Sequence, residues 1–298
     1  MEEYKSLKFR LVDILLLLLA VLPLVGCMLI KVLFTPAGEG ISIAGALILF
    51  TVPMPIQDLP ITESQINSAA VLITIFALCL YFTHGLSVKS HLKRQVIAEW
   101  IVEKTQSITI GNMGEYFAGF APFIGAIMGL SAFSSLIALL GLYAPTSDIN
   151  IVGGWAILVF VLITYYKMKC GPVHYLKSFC DPVLLAPLNI ISEVATPISM
   201  AFRHYGNVLS GAVISVLIAT ALQGLSNLVL GWLPGFLGEF PFLQIGLPAI
   251  LSVYFDVFSG LLQAFIFAML TMLYVAGGFP AEDYAARKAK RAAKKAKI

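Results

Sequence analysis

Between Ser178 and Ala286 the chain carries a single basic residue, Arg203. A guanidinium has a pKa above 12 and stays protonated, so Arg203 offers a fixed positive charge and cannot itself hand protons on. What it can do is attract a carboxylate. A lone arginine in a membrane helix costs from ~2.5 to more than 10 kcal/mol, depending on the scale, and therefore marks a pathway or an internal ion pair. The acids that could pair with it internally are Glu193 and Asp256.

Thr196, Ser199, Arg203, Gly206 with Asn207, and Ser210 follow one another at spacings of three and four and so share one helix face. That face is small and polar: it lets another backbone approach, and Asn207 can hydrogen-bond across the contact. Ser252, Asp256, Ser259 with Gly260, and Gln263 repeat the pattern in the last apolar run. An ionised Asp256 is costly in lipid, so the residue must be protonated, pair with a cation or face water. Gln263 lies two turns further on, ~10 Å away at 1.5 Å per residue. The two stripes are expected to face each other across a hairpin or to line a common aqueous cavity.

The elements that must hold these stripes are membrane helices. Of 298 residues, 59% are hydrophobic and only 12% charged, against roughly 25% charged in an average soluble domain. Stretches without Asp, Glu, Lys or Arg run from Ile14 to Ile30, Phe117 to Ser147, Ile149 to Tyr166, His204 to Gly238 and Val257 to Ala281. Several exceed the ~20 residues needed to cross a bilayer core. The expected fold is an all-α polytopic membrane protein with about four transmembrane spans, a long C-terminal helical hairpin and an amphipathic helix on the inner leaflet.

Basic residues set the topology by the positive-inside rule. Lys5, Lys8 and Arg10 precede a first span near 11–33, placing the N-terminus inside, and Lys31 at its far end can snorkel to the interface. From Phe34 to Asn67 there is no Lys or Arg, while Pro53, Pro55 and Pro60 prevent a regular helix, so that segment is expected outside. A span near 68–86 returns to Lys89, Lys93, Arg94 and Lys104, where Val96, Ile97, Trp100 and Ile101 share the apolar face of a surface helix. Spans near 116–142 and 151–167 flank a loop containing Asp148, and the second ends at Lys167, Lys169 and Lys177. Helices over about 180–223 and 246–276 then lead to a basic tail, again inside, which is expected to lie on anionic lipid or touch another subunit.

Other chemistry is sparse. Cys27, Cys79, Cys170 and Cys180 form no CxxC, and His84, His91, His174 and His204 form no HExxH, so no metal site, disulfide framework or cofactor is expected. Leu24 to Cys27 have the look of a lipoprotein cleavage site, but Asp13 interrupts the run and Met28 to Phe34 continue it, as in a retained helix. Ser210 and His204 are six residues apart, too far round the helix to pair as nucleophile and base, which argues against an intramembrane enzyme. A net charge of +3 scattered in loops argues against nucleic-acid binding. A secondary transporter with Arg203 as counter-charge for an anionic substrate is the alternative; it would tend to show a repeat of the arginine region, and the first half has none.

The run SMAFRHYGNVLSG, Ser199 to Gly211, resembles the signature of subunit a of F-type ATP synthases, in which Gly and Asn follow an arginine by three and four residues. PTSDIN, Pro145 to Asn150, is similar to the family's loop between its middle spans, and LLQAFIFAMLTMLYV, Leu261 to Val275, to its final helix, with Gln263 at the recurrent glutamine. The similarity extends over about residues 60–276, and the first span is an addition to the usual bacterial pattern.

The resemblance implies a non-catalytic stator subunit in a bacterial plasma membrane, with both termini cytoplasmic. It implies a long, tilted hairpin against a ring of c subunits, two offset half-channels for H+ or Na+, b subunits of a peripheral stalk, and the rest of an F1Fo complex around it in the bilayer. Arg203 would attract each c-subunit carboxylate and block direct leak between the half-channels. Asn207 and Gln263 would serve translocation, Asp256, with Glu193 and Asp148 nearer the ends of the route, would carry the outer half-channel's ion relay, and Thr196, Ser199, Gly206 and Ser210 would form the contact face for the ring. The family often has an acid at the position matching Ala212 and a titratable group at that matching Asp256; only the second is present. Ser135 stands where Asn is common, and His204 where an apolar residue is usual. The implied division is an extra helix at 1–34, an external loop at 35–66, the channel domain at 67–280 and the basic tail at 281–298.

Overall fold

The computed structural model describes residues 7–34, 45–55, 57–88, 92–179, 183–230, 232, 246–279 and 284–285. The basic tail beyond 285 and the turn of the C-terminal hairpin lie outside the described residues. Among those described, six helical segments are long and apolar enough to cross a membrane. They are α1 (Leu7–Phe34), α2 (Glu63–Thr83), α4 (Ala121–Leu136, extended by 3-10 turns at both ends), α5 (Ile149–Lys167), α7 (Ala186–Leu230), and a last segment built from α8 (Leu247–Ser252), a π-helical stretch (Val253–Ser259) and α9 (Gly260–Gly277). Two further helices, α3 (Lys93–Met113) and α6 (Pro172–Phe179), connect them.

The segment expected outside is not featureless. Ile48–Val52 (β1) pairs antiparallel with Leu59–Thr62 (β2), Val52 opposite Leu59 and Thr51 opposite Pro60. Pro60 donates no hydrogen bond, which suits a two-stranded ribbon whose outer edges are free. The next span also starts earlier than expected, at Glu63: the Gln65 side chain accepts from the Thr62 N–H at 3.3 Å, the return half of a capping box. It ends at Thr83, and two residues on stands Gly85, whose φ of +76° suits glycine and whose place leaves no room for a Cβ, which would meet the Phe9 ring at 2.6 Å.

Helix α1 is clamped to α2 along its length. Thr74 donates to the Ala20 carbonyl at 2.9 Å, and Cys27 packs with Ala70, Val71, Ile137 and Leu142. At one end Asp13 accepts from Arg94 (2.7 Å) and contacts His84 Nδ1 (2.8 Å), while Phe9 stacks on the His84 ring. At the other, Lys31 reaches the Gly141 carbonyl and lies 3.9 Å from Glu63. Helix α1 continues through Cys27 to Phe34.

The main core joins α4, α5, α7 and α9 through Phe117, Phe120, Ile124, Val159, Ile163, Met200, Phe267 and Met272. On α3 the polarity is inverted relative to a water-soluble helix: Thr105 and Thr109 are buried, whereas Val96, Ile97, Trp100 and Ile101 are exposed. An apolar exposed face fits lipid. Helix α7 has 45 residues, ~67 Å at 1.5 Å per residue. It can remain within a ~30 Å hydrocarbon core only if strongly inclined.

Candidate functional site: a fixed cation between two polar ends

Two contacts set the register between α7 and the last segment. Asn207 Nδ2 donates to Ser259 Oγ at 2.7 Å. One turn on, Gly211 lies against Phe255, whose Cδ1 would stand 2.8 Å from a Cβ there. The chains are antiparallel, so one turn in the other direction brings Arg203 level with Gln263.

Arg203 is exposed on the flank of the bundle, as are Ser199 and Ser210. Its side chain makes no ion pair or hydrogen bond with any described residue. The internal pairing with Glu193 or Asp256 does not form, because both acids are engaged elsewhere. Glu193 accepts from Lys167 Nζ at 2.6 Å and from the Tyr175 hydroxyl at 3.2 Å, and Asp256 accepts from Ser252 at 2.5 Å. Burial, and then the Glu193 charge, push the Tyr175 hydroxyl above its ordinary pKa, so it stays a donor to Glu193.

The expected contact face is divided. Thr196 and Gly206 are half-buried, Thr196 lining a cavity of about 220 Å³ with Lys167, Glu193 and Gly277. Asn207 turns inward to Ser259, the cross-helix bond expected of it.

The stripe on the last segment is rephased. A π-helix accommodates more residues per turn than an α-helix, and this one spans Val253–Ser259. Asp256 is thereby half-buried at the helix surface while Gln263 sinks to 5% exposure beside Ala264 and Phe267. The five expected residues do not share one environment: Ser252, Asp256 and Ser259 are half-buried, Gly260 and Gln263 buried.

Asp148 and Glu193 stand at opposite ends of α5. Asp148 caps its start, accepting from the Asn150 N–H at 2.9 Å and from the Ser64 hydroxyl. Around it Asn67 donates to the Tyr143 carbonyl at 2.9 Å, and Tyr143 N–H donates to Glu63 at 3.3 Å. The Tyr143 hydroxyl is raised above its ordinary pKa by burial first and by the Asp148 charge second. Lys167, partner of Glu193, closes the far end of α5. Along α7, Glu193 is ten residues from Arg203, ~15 Å, and on the last segment Asp256 is seven from Gln263, ~10 Å in the opposite direction. The arrangement is a permanent cation, unpaired among the described residues, midway between two polar ends.

The ATP synthase A chain family matches residues 66–276. The chain belongs to this family. It is 30% identical over 244 residues to the ATP synthase subunit a of Nitratidesulfovibrio vulgaris strain DP4, covering 78% of this chain and 95% of that one. It is 32% identical to the subunit a of Bacillus pumilus over 71% of this chain and 88% of that one. The subunit a of Legionella pneumophila strain Philadelphia 1 is 27% identical, over 76% and 91%. Family membership and the six apolar helices make it a multi-pass membrane protein, the non-catalytic ion-channel stator subunit of the complex's membrane sector. The matched region begins just inside α2, so α1 and the β-ribbon lie ahead of it.

Sequence patterns missed several members of the site. Lys167 was read only as a topology marker, and nothing in its spacing pointed to Glu193, 26 residues away. The Ser64–Asp148 bond joins residues 84 apart. The serines at 131, 134 and 135, at i, i+3 and i+4, were visible in the sequence as one helix face and are all buried.

Proposed function

We propose that the exposed flank of α7, with Ser199, Arg203 and Ser210 outward and Thr196 and Gly206 beside them, lies against a ring of c subunits. The two polar ends are then the half-channels. On this reading, the end with Asp148, Asn67 and Glu63 opens to the outside and continues to Asp256. The cavity at Glu193, Lys167 and Thr196 opens to the cytoplasm, where both termini lie. Gln263 and Asn207 order the groups level with Arg203, and b subunits of the peripheral stalk hold the chain against torque. The basic tail, 281–298, stays on the cytoplasmic side, 67–280 is the channel domain, 35–66 the external loop, and 1–34 an added helix that braces it.

The observation that carries this reading is Arg203 itself, exposed and without a partner among the described residues on a helix otherwise fit for lipid. A desolvated guanidinium without a counter-ion is costly, so the complex must supply one. A ring carboxylate supplies it transiently: ionised, it is held beside the cation; neutralised by a proton from the outer path, it can re-enter lipid. The positive charge also bars a proton from passing straight between the ends. Each charge that crosses delivers ~2.3 kcal/mol per 100 mV to rotation.

The contact is tested by placing a photo-cross-linking side chain at Ser199 or Ser210 in the assembled complex, with Leu22 on α1 as control. Adducts to the c subunit from the two α7 positions and not from Leu22 are expected. Adducts to c from Leu22 but from neither α7 site would overturn the placement.

A further inference from the structure

A column of buried hydroxyls inside the bundle has no part in the path just described. Ser131, Ser134 and Ser135 lie on one face of α4, exposed by 0%, 0% and 3%. Toward the Asp148 end, Ser135 Oγ is 3.4 Å from Oγ1 of the buried Thr146, two residues before Asp148 itself. Toward the other end, Ser131 Oγ is 3.3 Å from Nε2 of His204.

His204 follows Arg203 in the chain, but ~100° round the helix, so it points into the bundle while Arg203 points out. Its ring is fully buried, edge-on to Trp155 (6.0 Å) and Phe267 (5.6 Å). Two atoms of the column lack partners among the described residues: Ser134 Oγ and His204 Nδ1. Buried polar atoms are almost always hydrogen-bonded, to protein or to an ordered water. A column of buried polar atoms, two of them unpartnered among the described residues, is the setting in which buried water is held.

We propose that these residues hold a file of water that carries protons from the Asp148 end to the level of Arg203, with His204 as its relay residue. This deepens the reading of the chain as an ion-channel stator and rests on it. A proton arriving on water beside Ser131 binds Nε2 of a neutral imidazole that carries its hydrogen on Nδ1. The cation so formed releases the proton on its other nitrogen to the next water, on the way to the ring carboxylate. One proton enters and one leaves, nothing is oxidised, and exchange with water restores the starting tautomer. Imidazole suits this because one ring nitrogen can bind a proton while the other releases one, whereas the neighbouring guanidinium stays charged. The file approaches the Asp256 path at one place: a Cβ at Gly260, one turn from Asp256, would meet Ser135 Cβ at 2.7 Å. Asp256 and the Asp148 end then feed one file, and His204 stands on the stretch they share.

The test uses vesicles carrying the whole complex, with the catalytic head removed for passive proton uptake driven by a potassium diffusion potential. Glutamine can keep the hydrogen bond to Ser131 but cannot carry a proton. His204→Gln is therefore expected to slow uptake about tenfold, at or below the usual effect of removing a proton-transferring group. Ser134→Val, which fills the file, should do the same. Native uptake in both variants overturns the proposal, as does conduction of Na+ but not H+. Arg203→Ala in parallel separates the two readings: if it alone abolishes ATP-driven pumping, the stator reading stands and only the water file falls. Radiolytic hydroxyl labelling of the native complex is decisive even for variants that do not assemble. Labelling of the buried His204 ring is expected from water held beside it, and its absence overturns the file.

Discussion

Gly211 is the position where a single methyl group tests the register that aligns the site. A Cβ there would lie 2.8, 3.0 and 3.1 Å from Phe255 Cδ1, Cγ and Cβ. Carbon contacts normally settle at about 3.5–4.0 Å, so Gly211→Ala must push Phe255 back by about 0.7 Å. Rotating the ring cannot relieve all of this, because Phe255 Cβ moves only with its backbone. Overpacking of this kind costs about 1–3 kcal/mol, and alanine's better helix propensity returns about 1, leaving a net loss of about 0–2 kcal/mol. The same displacement would stretch the 2.7 Å bond between Asn207 and Ser259 to the edge of hydrogen-bonding range. The assay is a double-mutant cycle with Phe255→Ala, following thermal loss of the chain from the purified complex and ATP-driven pumping. Removing the ring takes away the two nearest atoms, so Gly211→Ala should be nearly neutral in that background, with a coupling of about 1 kcal/mol. Strictly additive effects would show that α7 and the last segment do not meet at these residues.

Lys167→Ala strands the Glu193 carboxylate with Tyr175 as its remaining donor among the described residues; the pair is partly exposed, so a loss of about 1–3 kcal/mol is expected in thermal melts, with Lys167→Arg restoring most of it. Unchanged melting in the alanine variant would mean that the pair does not form in the complex. Asp256→Asn should slow proton translocation without loss of assembly, and Asp256→Glu should retain it; equal rates in both would remove Asp256 from the path. Asp13→Asn removes the carboxylate shared by Arg94 and His84, so amide exchange in the first two turns of α1 should quicken, and unchanged exchange would show that apolar packing alone holds that helix.

What was legible in the sequence was whatever depends on charge and on neighbours within one helix. Six long apolar segments, the exposed apolar face of α3 and the isolation of Arg203 follow from where charged side chains can and cannot be solvated. Helix ends were less legible: the second span starts at Glu63 because of a cap at Thr62 and Gln65, which the missing basic residues of the preceding loop could not reveal. The π-helical stretch at Val253–Ser259 was invisible to a count in threes and fours, and it is what separates the surroundings of Asp256 from those of Gln263. Pairings that reach far along the chain, Lys167 with Glu193 and Ser64 with Asp148, exist only because the helices pack, and a single sequence carries no mark of them. That His204 turns away from the Arg203 face follows from one step along a helix, but what packs on that side, Ser131, Trp155 and Phe267, is set by other helices and leaves no mark in the local sequence.

The most direct test of the account is ATP-driven proton pumping by the complete complex in vesicles, comparing the native chain with Arg203→Ala. The account predicts that the variant assembles and hydrolyses ATP but builds no proton gradient, because nothing then holds the ring carboxylate ionised or separates the two polar ends. A gradient of native size and rate from the variant would contradict it.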